Sequence, residues 1–326
     1  MRAVTITEPG DPSVLRLSEV ADPTARDGEV VIRVAAAGLN GADLSQRRGF
    51  YPPPPGAPEW PGLEVSGTIA SVGDGVERWR VGDRVCALLP GGGYAELVSV
   101  DAGLVLLVPD EVDLVEAAGL PEAVATVWSN VFRIARLAAG ETLLVHGGSS
   151  GIGSTAIQLG RAFGAQVIAT AGSDLKTAFC RDLGADAAVD YRTQDFVEAV
   201  LAVTDGRGAD VVLDIVGGSY IARDLDALAV GGRIMSIAIR DSAPAALDVG
   251  LLMHKRALIH GTTLRARPLT ERREIIADVE AQVWPLLSDR RLRPVIDSVF
   301  PLADAAQAHR RMESSAHLGK ILLSAD

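Results

Sequence analysis

The stretch Thr142-Leu-Leu-Val-His-Gly-Gly-Ser-Ser-Gly-Ile-Gly153 runs from an apolar segment straight into a glycine-rich turn. A helical pattern follows, because Ile152, Ala156, Leu159 and Phe163 are spaced so that they would share one helix face. Small residues let a backbone approach a phosphate closely, and the unpaired N–H groups at a helix start attract an anion. The stretch therefore predicts a dinucleotide-binding site.

The glycine pattern of this turn departs from the usual fingerprint. The three positions of G-x-G-x-x-G hold glycine, serine and glycine, and a degraded fingerprint alone is also typical of an ordinary strand–turn–helix corner. The apolar strand before the turn and the helix after it favour cofactor binding over that alternative. We expect the turn to contact the cofactor through Gly148, Ser150, Gly151, Ile152 and Gly153.

The composition of the chain excludes several classes of function. With 326 residues, 48% of them hydrophobic and 22% charged, the chain is long enough for about two globular domains. A net charge of −11 argues against nucleic acid or an anionic membrane surface as the main partner. The chain contains no apolar run of 18 residues and no signal-peptide core, and it has only two cysteines. These features predict a reduced, cytoplasmic protein.

The first 120 residues predict an irregular, mostly antiparallel β domain, because short β-like runs alternate with Gly, Pro and Asp turns. The strand candidates are Glu29–Ala35, Val65–Val72, Asp83–Leu88 and Tyr94–Val100. The proline-rich stretch Tyr51–Pro61 cannot join a central sheet and predicts a stiff loop.

From about Pro121 the pattern changes to alternating helices and strands, which predicts a doubly wound parallel sheet. The elements expected there are a helix at Ala123–Leu137 and strands at Thr142–His146, Gln166–Thr170, Ala187–Asp190, Val211–Ile215, Arg233–Ala238 and Leu258–Thr262. The last elements expected are a helix at Glu271–Leu287, a strand at Val295–Phe300, a helix at Ala303–Ser314 and a strand at Lys320–Leu323.

Several motifs spread along the chain point to one family. They are Ala37–Leu44, Arg47–Tyr51, Pro61–Gly67, Val81–Val85, Leu89–Glu96, the turn at 146–153 and His317–Ile321. At these motifs the chain resembles the medium-chain dehydrogenase/reductase superfamily, and within it the zinc-free quinone oxidoreductase branch, relatives of zeta-crystallin. The resemblance covers nearly the whole chain. It implies an α/β protein with a GroES-like, mostly antiparallel β catalytic domain, a Rossmann domain, and an active site in the cleft between them.

This resemblance sets the expected domain boundaries. We predict a GroES-like catalytic domain at residues 1–122, a Rossmann NADPH-binding domain at 123–266, and a C-terminal segment at 267–326 that returns to the catalytic domain. The strand at Ala257–Thr262 would end the Rossmann sheet, and an exposed edge strand is usually covered or paired. Family members pair it across a two-fold axis, so the resemblance implies a homodimer.

No metal site is predicted. Zinc-binding members of the superfamily carry Cys where this chain has Asn40 and His where it has Leu63, and neither residue here is a good zinc ligand. The cysteine-rich loop of those members has no counterpart after Cys86, and the five histidines show no ligand spacing. Without a Lewis acid we do not expect alcohol oxidation. Reduction of an electrophilic acceptor by a nicotinamide hydride needs no metal.

The end of the second strand of the Rossmann pattern predicts NADPH rather than NADH. NAD-preferring domains place Asp or Glu there, whereas this chain has Ala171 followed by Gly172 and Ser173. Ser173 and Lys176 can donate to a 2′-phosphate, although Lys176 also suits a solvated helix surface. Tyr191 resembles the tyrosine that family relatives bring to the same phosphate.

Three further residues are candidates for the reaction itself. By resemblance, Asn40 lies beside the nicotinamide ribose, Tyr51 faces the substrate, and Thr126 contacts the cofactor. Each has a structural alternative, since Asn40 could be a turn residue, Tyr51 could pack on prolines, and Thr126 could be a buried helix threonine. Glu64 is expected to be structural and Asp214 to cap a turn. Cys86 and Cys180 are expected to be buried rather than nucleophilic.

The leading interpretation is an NADPH-dependent quinone oxidoreductase. Within the same framework an NADPH-dependent enoyl or alkenal reductase remains open, because activated C=C bonds accept a hydride in the same way. A third alternative, from another class, is a cofactor-binding scaffold or sensor with little turnover. The expected partner is a small quinone or enone, with no nucleic acid and no membrane.

Overall fold

The computed structural model describes residues 1–325 and divides the chain into two compact units. Unit 1 combines the two ends of the chain, residues 1–125 and 265 onward, and unit 2 is Thr126–Leu264. The boundaries expected from sequence fall after residues 122 and 266, whereas the two units divide after residues 125 and 264.

The strands and helices of the described residues are numbered here along the chain. The strands are β1 Arg2–Ile6, β2 Leu15–Glu19, β3 Glu29–Gly38, β4 Glu64–Val72, β5 Arg84–Leu88, β6 Leu97–Asp101, β7 Val105–Leu107, β8 Thr142–Val145, β9 Gln166–Ala171, β10 Ala187–Asp190, β11 Ala209–Asp214, β12 Leu228–Ser236, β13 Leu258–Gly261, β14 Ile296–Pro301 and β15 Lys320–Ser324. The helices are α1 Gly41–Arg47, α2 Pro121–Val127, α3 Gly151–Ala162, α4 Asp174–Asp182, α5 Phe196–Val203, α6 Tyr220–Ala227, α7 Val249–Lys255, α8 Leu269–Gln282, α9 Pro285–Ser288 and α10 Ala305–Glu313.

Unit 2 is a doubly wound parallel sheet, as predicted. Its strand order is β10-β9-β8-β11-β12-β13, and all five pairings are parallel. The central strands β8 and β11 carry fully buried apolar runs, Leu143–Val145 and Val211–Leu213, because helices cover both faces of such a sheet. The strand order reverses between β8 and β11, and ligands of this fold class bind at that point, beyond the carboxyl ends of the strands.

Unit 1 is built around a mostly antiparallel sheet with the order β14-β15-β3-β4-β5-β7, and β6 also pairs with β3. The C-terminal strand β15 pairs with β3 near the N-terminus, with Leu322 opposite Gly38. Both ends of the chain therefore contribute to one sheet, and the predicted GroES-like fold class is confirmed.

Three predicted elements differ from the structure. The helix expected at Ala123–Leu137 is α-helical only to Val127 and continues as a π-helix over Trp128–Ile134, where the Ala135 N–H bonds the carbonyl of Asn130. The strand expected from Tyr94 begins at Leu97, because the Tyr94 N–H donates to the Pro61 carbonyl and its carbonyl accepts the N–H of Val4 in β1, outside the pairing of β6 with β3.

The helix expected at Glu271–Leu287 stops at Gln282, and a separate short helix begins at Pro285, which lacks the N–H needed to continue the first one. No helix in residues 1–325 is both long enough and apolar enough to cross a membrane.

Candidate functional site

The glycine turn follows β8 and leads into α3. A side chain at Gly148 would place its Cβ 2.8 Å from the Ala169 Cβ and 2.8 Å from the Cys180 Sγ. A Cβ at Gly153 would lie 2.6 Å from the Cα of Gly148, inside van der Waals contact with backbone that cannot move aside. Both glycines are therefore required by close packing of the turn on itself and on β9.

Ser150 begins α3, and its hydroxyl accepts the N–H of Gly153 at 3.0 Å. The serine at the second fingerprint position thus serves as the helix N-cap. The N–H groups of Gly151 and Ile152 lie in the first helical turn, where helix geometry offers no intrahelical acceptor. This turn fits an anion such as the pyrophosphate of a dinucleotide, because it combines two such donors with the positive end of a 12-residue helix.

A fully buried chain of polar groups supports the turn from below. His146 Nε2 lies 2.7 Å from Asp224 Oδ1, and His146 Nδ1 lies 3.0 Å from Thr170 Oγ1. Thr170 Oγ1 also accepts the N–H of Gly147, the first residue of the turn, at 3.4 Å. The donors and acceptors match if the threonine hydroxyl donates to Nδ1 and Nε2–H donates to the carboxylate. The histidine thereby fixes the start of the glycine turn.

The end of β9 carries no acidic side chain, because the strand finishes with the buried Ala171. A Cβ at Gly172 would lie 2.6 Å from the Tyr191 hydroxyl oxygen and 3.3 Å from the Arg192 Nε, so both side chains reach this point. Ser173 caps α4 and accepts the N–H of Lys176, which places Lys176 in the first turn of that helix.

The structure thus brings Gly172, Ser173 and Tyr191 together at the end of β9, with Lys176 one helical turn away. It also adds Arg192, which sequence reasoning missed although it directly follows Tyr191. Tyr191 is 43% exposed.

Thr126 is buried where α2 passes into the π-helix. Its carbonyl accepts the Asn130 side-chain amide at 2.8 Å and the Ser129 hydroxyl at 3.2 Å. The Asn130 Oδ1 in turn accepts the hydroxyl of Thr262, just beyond β13, at 2.6 Å. Short π-helical segments frequently occur at functional sites. Here the π-helix holds the backbone of Thr126 in place from two sides.

In unit 1, Asn40 precedes α1 and its side chain is held by two buried charged residues. Its Nδ2 donates to Glu64 Oε1 at 2.9 Å, and its Oδ1 accepts Lys320 Nζ at 2.8 Å. Lys320 and Glu64 also form an ion pair. Nδ2 also donates to the Gly38 carbonyl at 3.4 Å, so both amide donors are occupied, and Oδ1 retains one lone pair. Asn40 can accept a bond from a hydroxyl group, but it cannot readily donate to a carbonyl.

Glu64 has the structural role expected of it. Besides binding Asn40 and Lys320, its carboxylate accepts the backbone N–H of Glu122 at 2.9 Å. Burial beside the charge of Glu64 raises the pKa of Glu122 to about 8, so Glu122 is largely a neutral acid at physiological pH.

A second buried polar network lies beside Asn40. The Asp43 carboxylate accepts the backbone N–H groups of Asn40 and Gly62 and the hydroxyl of Tyr94. His309 lies 3.3 Å from that hydroxyl through Nε2 and 3.2 Å from Arg47 through Nδ1.

Because arginine can only donate, Nδ1 of His309 accepts and Nε2 carries the proton. Burial and the Arg47 charge lower the pKa of His309 to about 3, while burial raises the pKa of Asp43 to about 6. This network fixes α1 and the loop that bears Asn40.

Tyr51 is half-buried, and its ring packs against Arg265, whose guanidinium carbon lies 5.4 Å from the ring centroid. Arg265 itself is only 5% exposed. It donates from Nε to the Pro90 carbonyl at 2.6 Å and from Nη1 to Gln46 Oε1 at 2.9 Å, whereas its buried Nη2 has no partner. Burial raises the pKa of the Tyr51 phenol, so the phenol stays protonated and can donate a hydrogen bond.

This chain resembles known proteins over nearly its whole length. The description "Alcohol dehydrogenase GroES-like domain" matches residues 26–110, and "Zinc-binding dehydrogenase" matches residues 183–323. The quinone oxidoreductase of Rattus norvegicus is 33% identical over 99% of this chain and 97% of its own length. The chain belongs to the quinone oxidoreductase branch of the medium-chain dehydrogenase/reductase superfamily. The resemblance expected from sequence is therefore confirmed.

Solved structures of this superfamily extend the comparison. The Escherichia coli quinone oxidoreductase complexed with NADPH has a TM-score of 0.90 and 28% identity, covering 99% of this chain and all of that one. The CurK enoyl reductase has a TM-score of 0.85 and 27% identity, covering 99% of this chain and 98% of that one. Quinone reductases and enoyl reductases thus share this fold at comparable similarity.

This chain has no zinc ligands at positions 40 and 63, where zinc-binding members of the superfamily carry Cys and His. Asn40 is bonded to Glu64 and Lys320, and Leu63 has no lone pair. No group of three or more His, Cys, Asp or Glu side chains in residues 1–325 is arranged to hold a metal ion.

The remaining sequence-based expectations concern single side chains. Cys86 and Cys180 are both fully buried, as expected, and burial raises the pKa of the Cys180 thiol to about 12. Asp214 accepts the N–H groups of Val216 and Gly217 and so caps the turn after β11, as expected.

Proposed function

We propose that the protein reduces quinone-type acceptors with NADPH and without a metal. The observation that carries the proposal is the end of β9, where Gly172, Ser173 and Tyr191 replace the acidic residue that would repel a 2′-phosphate. The Escherichia coli relative solved with NADPH supports the same cofactor. Bound NADPH would supply the hydride, and the protein would bind, orient and shield the reactants.

The residues of unit 2 have distinct tasks in this proposal. The N–H groups of Gly151 and Ile152 bind the pyrophosphate, while Gly148 and Gly153 permit its close approach. Ser150 caps the helix by accepting the N–H of Gly153, and its hydroxyl hydrogen can still donate to the phosphate. Thr126 lines the nicotinamide end of the site.

The 2′-phosphate is bound by Lys176 and Arg192 as cations, with Ser173 and the Tyr191 hydroxyl as further donors. Each charge-assisted bond contributes about 1.5–3 kcal/mol.

The residues of unit 1 serve the acceptor and the ribose. Asn40 accepts a ribose hydroxyl on its free Oδ1 lone pair, since its amide donors already bind Glu64 and the Gly38 carbonyl. The Tyr51 phenol donates to the acceptor. Reduction of a quinone consumes one hydride and one proton and yields a quinol, so a neutral phenol or carboxylic acid is a suitable proton source.

Reduction of activated C=C bonds is the second candidate function. It is favoured by the similarity to the CurK enoyl reductase and to the JamJ enoyl reductase, the latter with a TM-score of 0.88 and 25% identity. Either acceptor carries a carbonyl oxygen that gains negative charge when hydride adds, so the groups of unit 1 suit both.

An acceptor panel tests the proposed function. NADPH oxidation is followed with 1,4-naphthoquinone, with an enone, and without acceptor, and NADP⁺ reduction is followed with a primary alcohol. We expect kcat/KM to be highest for the quinone. A higher value for the enone would favour the second candidate, and turnover of the alcohol would contradict both.

Tyr51→Phe refines the role of the phenol in the same assay. If Tyr51 donates the proton, kcat should fall by about 10²-fold. If the phenol only packs against Arg265, the change should be modest. Wild-type protein assayed in parallel with NADPH alone provides the background rate.

We also propose that the protein is cytoplasmic and forms a homodimer through β13. This strand ends the sheet of unit 2, and Leu258 is 65% exposed on it. An unpaired, apolar edge strand favours pairing with a second copy. Light scattering should give the dimer mass at micromolar concentration, and Ile259→Lys should give the monomer mass.

A further inference from the structure

Arg265 differs from the other deeply buried arginine of unit 1. Arg47 donates to the Gly10 carbonyl at 3.0 Å, to His309 at 3.2 Å and to the Glu313 carboxylate at 2.5 Å. Arg265 binds one carbonyl and one amide oxygen firmly, and none of its described contacts is to a carboxylate. Its charge is therefore buried without a directly bonded counter-ion.

The two hydrogens on Arg265 Nη2 have no acceptor in the described residues. An unpaired buried donor costs about 1–3 kcal/mol, and more when the group is charged. Proteins retain such costs mainly where a ligand, water or ion completes the bonding. The unpaired edge of the guanidinium thus points to a binding role.

The surroundings of Nη2 suit a planar, oxygen-bearing molecule. The Tyr51 ring packs against the guanidinium, and Phe50 on the same loop is 81% exposed. Gly91 also lies close, because a Cβ there would be 3.0 Å from Nη2. A cation packed beside an aromatic ring suits a flat, oxygen-bearing acceptor better than a bulky one.

We propose that Arg265 binds the carbonyl oxygen of the electron acceptor by donating hydrogen bonds from Nη2. This inference rests on the proposed function and identifies a specificity-determining residue for it. Because Nη2 is shielded from solvent in this conformation, binding also requires a neighbouring group to shift aside.

The chemistry explains why a guanidinium is useful here. When hydride adds to a conjugated carbonyl compound, the electron pair moves to oxygen and leaves a quinol anion or an enolate. Two donors aimed at that oxygen stabilise the developing charge more than the neutral carbonyl. The oxygen then takes a proton from solvent or from a neutral acid of the protein, which completes the two-electron reduction.

Arg265→Lys tests the inference, since lysine keeps the charge but lacks the planar fork that presents Nη2. Three quantities are measured, namely the NADPH Kd, the naphthoquinone KM, and the 4-nitrophenolate Kd in the absence of cofactor. The phenolate is a non-reducible mimic of the quinol anion. Arg84→Lys, another arginine of unit 1 whose described side-chain contacts are to Val112 and Asp110, is the matched control.

We expect Arg265→Lys to raise the phenolate Kd and the quinone KM by about 10- to 100-fold, with the NADPH Kd unchanged. The control should leave all three within about twofold. Unchanged phenolate Kd and quinone KM in a folded Arg265→Lys protein would overturn the inference while leaving quinone reduction in place. Conversely, if wild-type protein reduces no quinone, the proposed function fails, yet an Arg265-dependent phenolate Kd would still support the oxygen site.

A second measurement does not depend on altering Arg265. The Trp60 indole N–H bonds the carbonyl of Gly92, next to Gly91, so Trp60 fluorescence reports on this site. Saturable quenching by 4-nitrophenolate should be seen in wild-type protein and be largely lost in Trp60→Phe. Quenching that persists undiminished in Trp60→Phe would place the oxyanion elsewhere and contradict the inference.

Discussion

The candidate cofactor site of unit 2 and the candidate acceptor site of unit 1 are built from different parts of the chain. In unit 2 the groups proposed to bind the ligand include backbone N–H groups of one short turn, between Gly147 and Gly153. In unit 1 they are side chains from distant segments, which Arg265 joins by bonding Gln46 and Pro90 and packing on Tyr51.

This difference determines how each site fails when it is altered. A site built from backbone groups tolerates most side-chain substitutions. It does not tolerate a Cβ at a glycine whose backbone is in contact with another part of the turn. A side-chain site tolerates small steric changes but not the loss of a donor or a charge. The following predictions test that distinction, beginning with the largest expected effect.

Gly153→Ala should damage the backbone site most. The new Cβ would meet backbone atoms of the turn, which cannot move without opening it. Such overpacking costs about 1–3 kcal/mol of stability, and we expect NADPH affinity to fall by about 100-fold or more. Calorimetric titration and urea unfolding measure both quantities. Gly261→Ala is the control, because its nearest neighbour would be 4.0 Å away.

Removing the phosphate cations should affect NADPH but spare NADH. Lys176→Ala and Arg192→Ala should each raise the NADPH Kd by about 10- to 100-fold. The NADH Kd should change little, because NADH lacks the 2′-phosphate. Equal affinity of the wild-type protein for the two cofactors would refute the assignment of this end of β9.

The buried network of unit 1 should make stability depend on pH. The pKa of His309 is about 3 in the folded protein and about 6.5 when unfolded, so the unfolded chain binds the extra proton between these values. Stability is therefore full above about pH 6.5 and falls as the pH drops below it, by about 2 kcal/mol at pH 5.

His309→Gln should remove this part of the pH dependence. Urea unfolding of both proteins at about pH 7 and pH 5 measures the change in stability with pH. The raised pKa of Asp43 has the opposite effect, but it is present in both proteins and so cancels in the difference between them. An identical loss of stability on acidification in both proteins would show that His309 is not responsible.

The smallest expected effect is that of metal removal. Because Asn40 and Leu63 cannot bind zinc, a chelator should leave kcat/KM for a quinone within about twofold of the untreated value. Elemental analysis should find much less than one zinc per chain. Stoichiometric zinc together with chelator-sensitive turnover would contradict the proposed metal-free reaction.

The two regions also differ in how far the sequence predicts them. Local patterns predict the glycine turn, the parallel sheet with alternating helices, and the absence of a carboxylate after β9. Each of these features is determined by residues within a short stretch. Arg265 could not be assigned a role from the sequence, because its partners lie at positions 46, 51 and 90 and meet it only in the folded chain.

The same limit applies to Asn40. The sequence indicates an amide near the site, but only the bonds to Glu64 and Lys320 show that its donors are occupied. The π-helix after Val127 also has no local signal, because its helical pattern of apolar residues does not distinguish i+4 from i+5 bonding. Non-local contacts therefore decide what the local pattern leaves open.

The most direct test of the account is a single-turnover experiment with NADPH deuterated at the transferred hydrogen. Protein loaded with the cofactor is mixed with 1,4-naphthoquinone, and the loss of reduced nicotinamide absorbance is recorded. We predict rapid oxidation with a primary isotope effect of about 2 or more, one quinol formed per NADPH, and strong slowing in Arg265→Lys. Oxidation no faster than in protein-free solution would contradict the account.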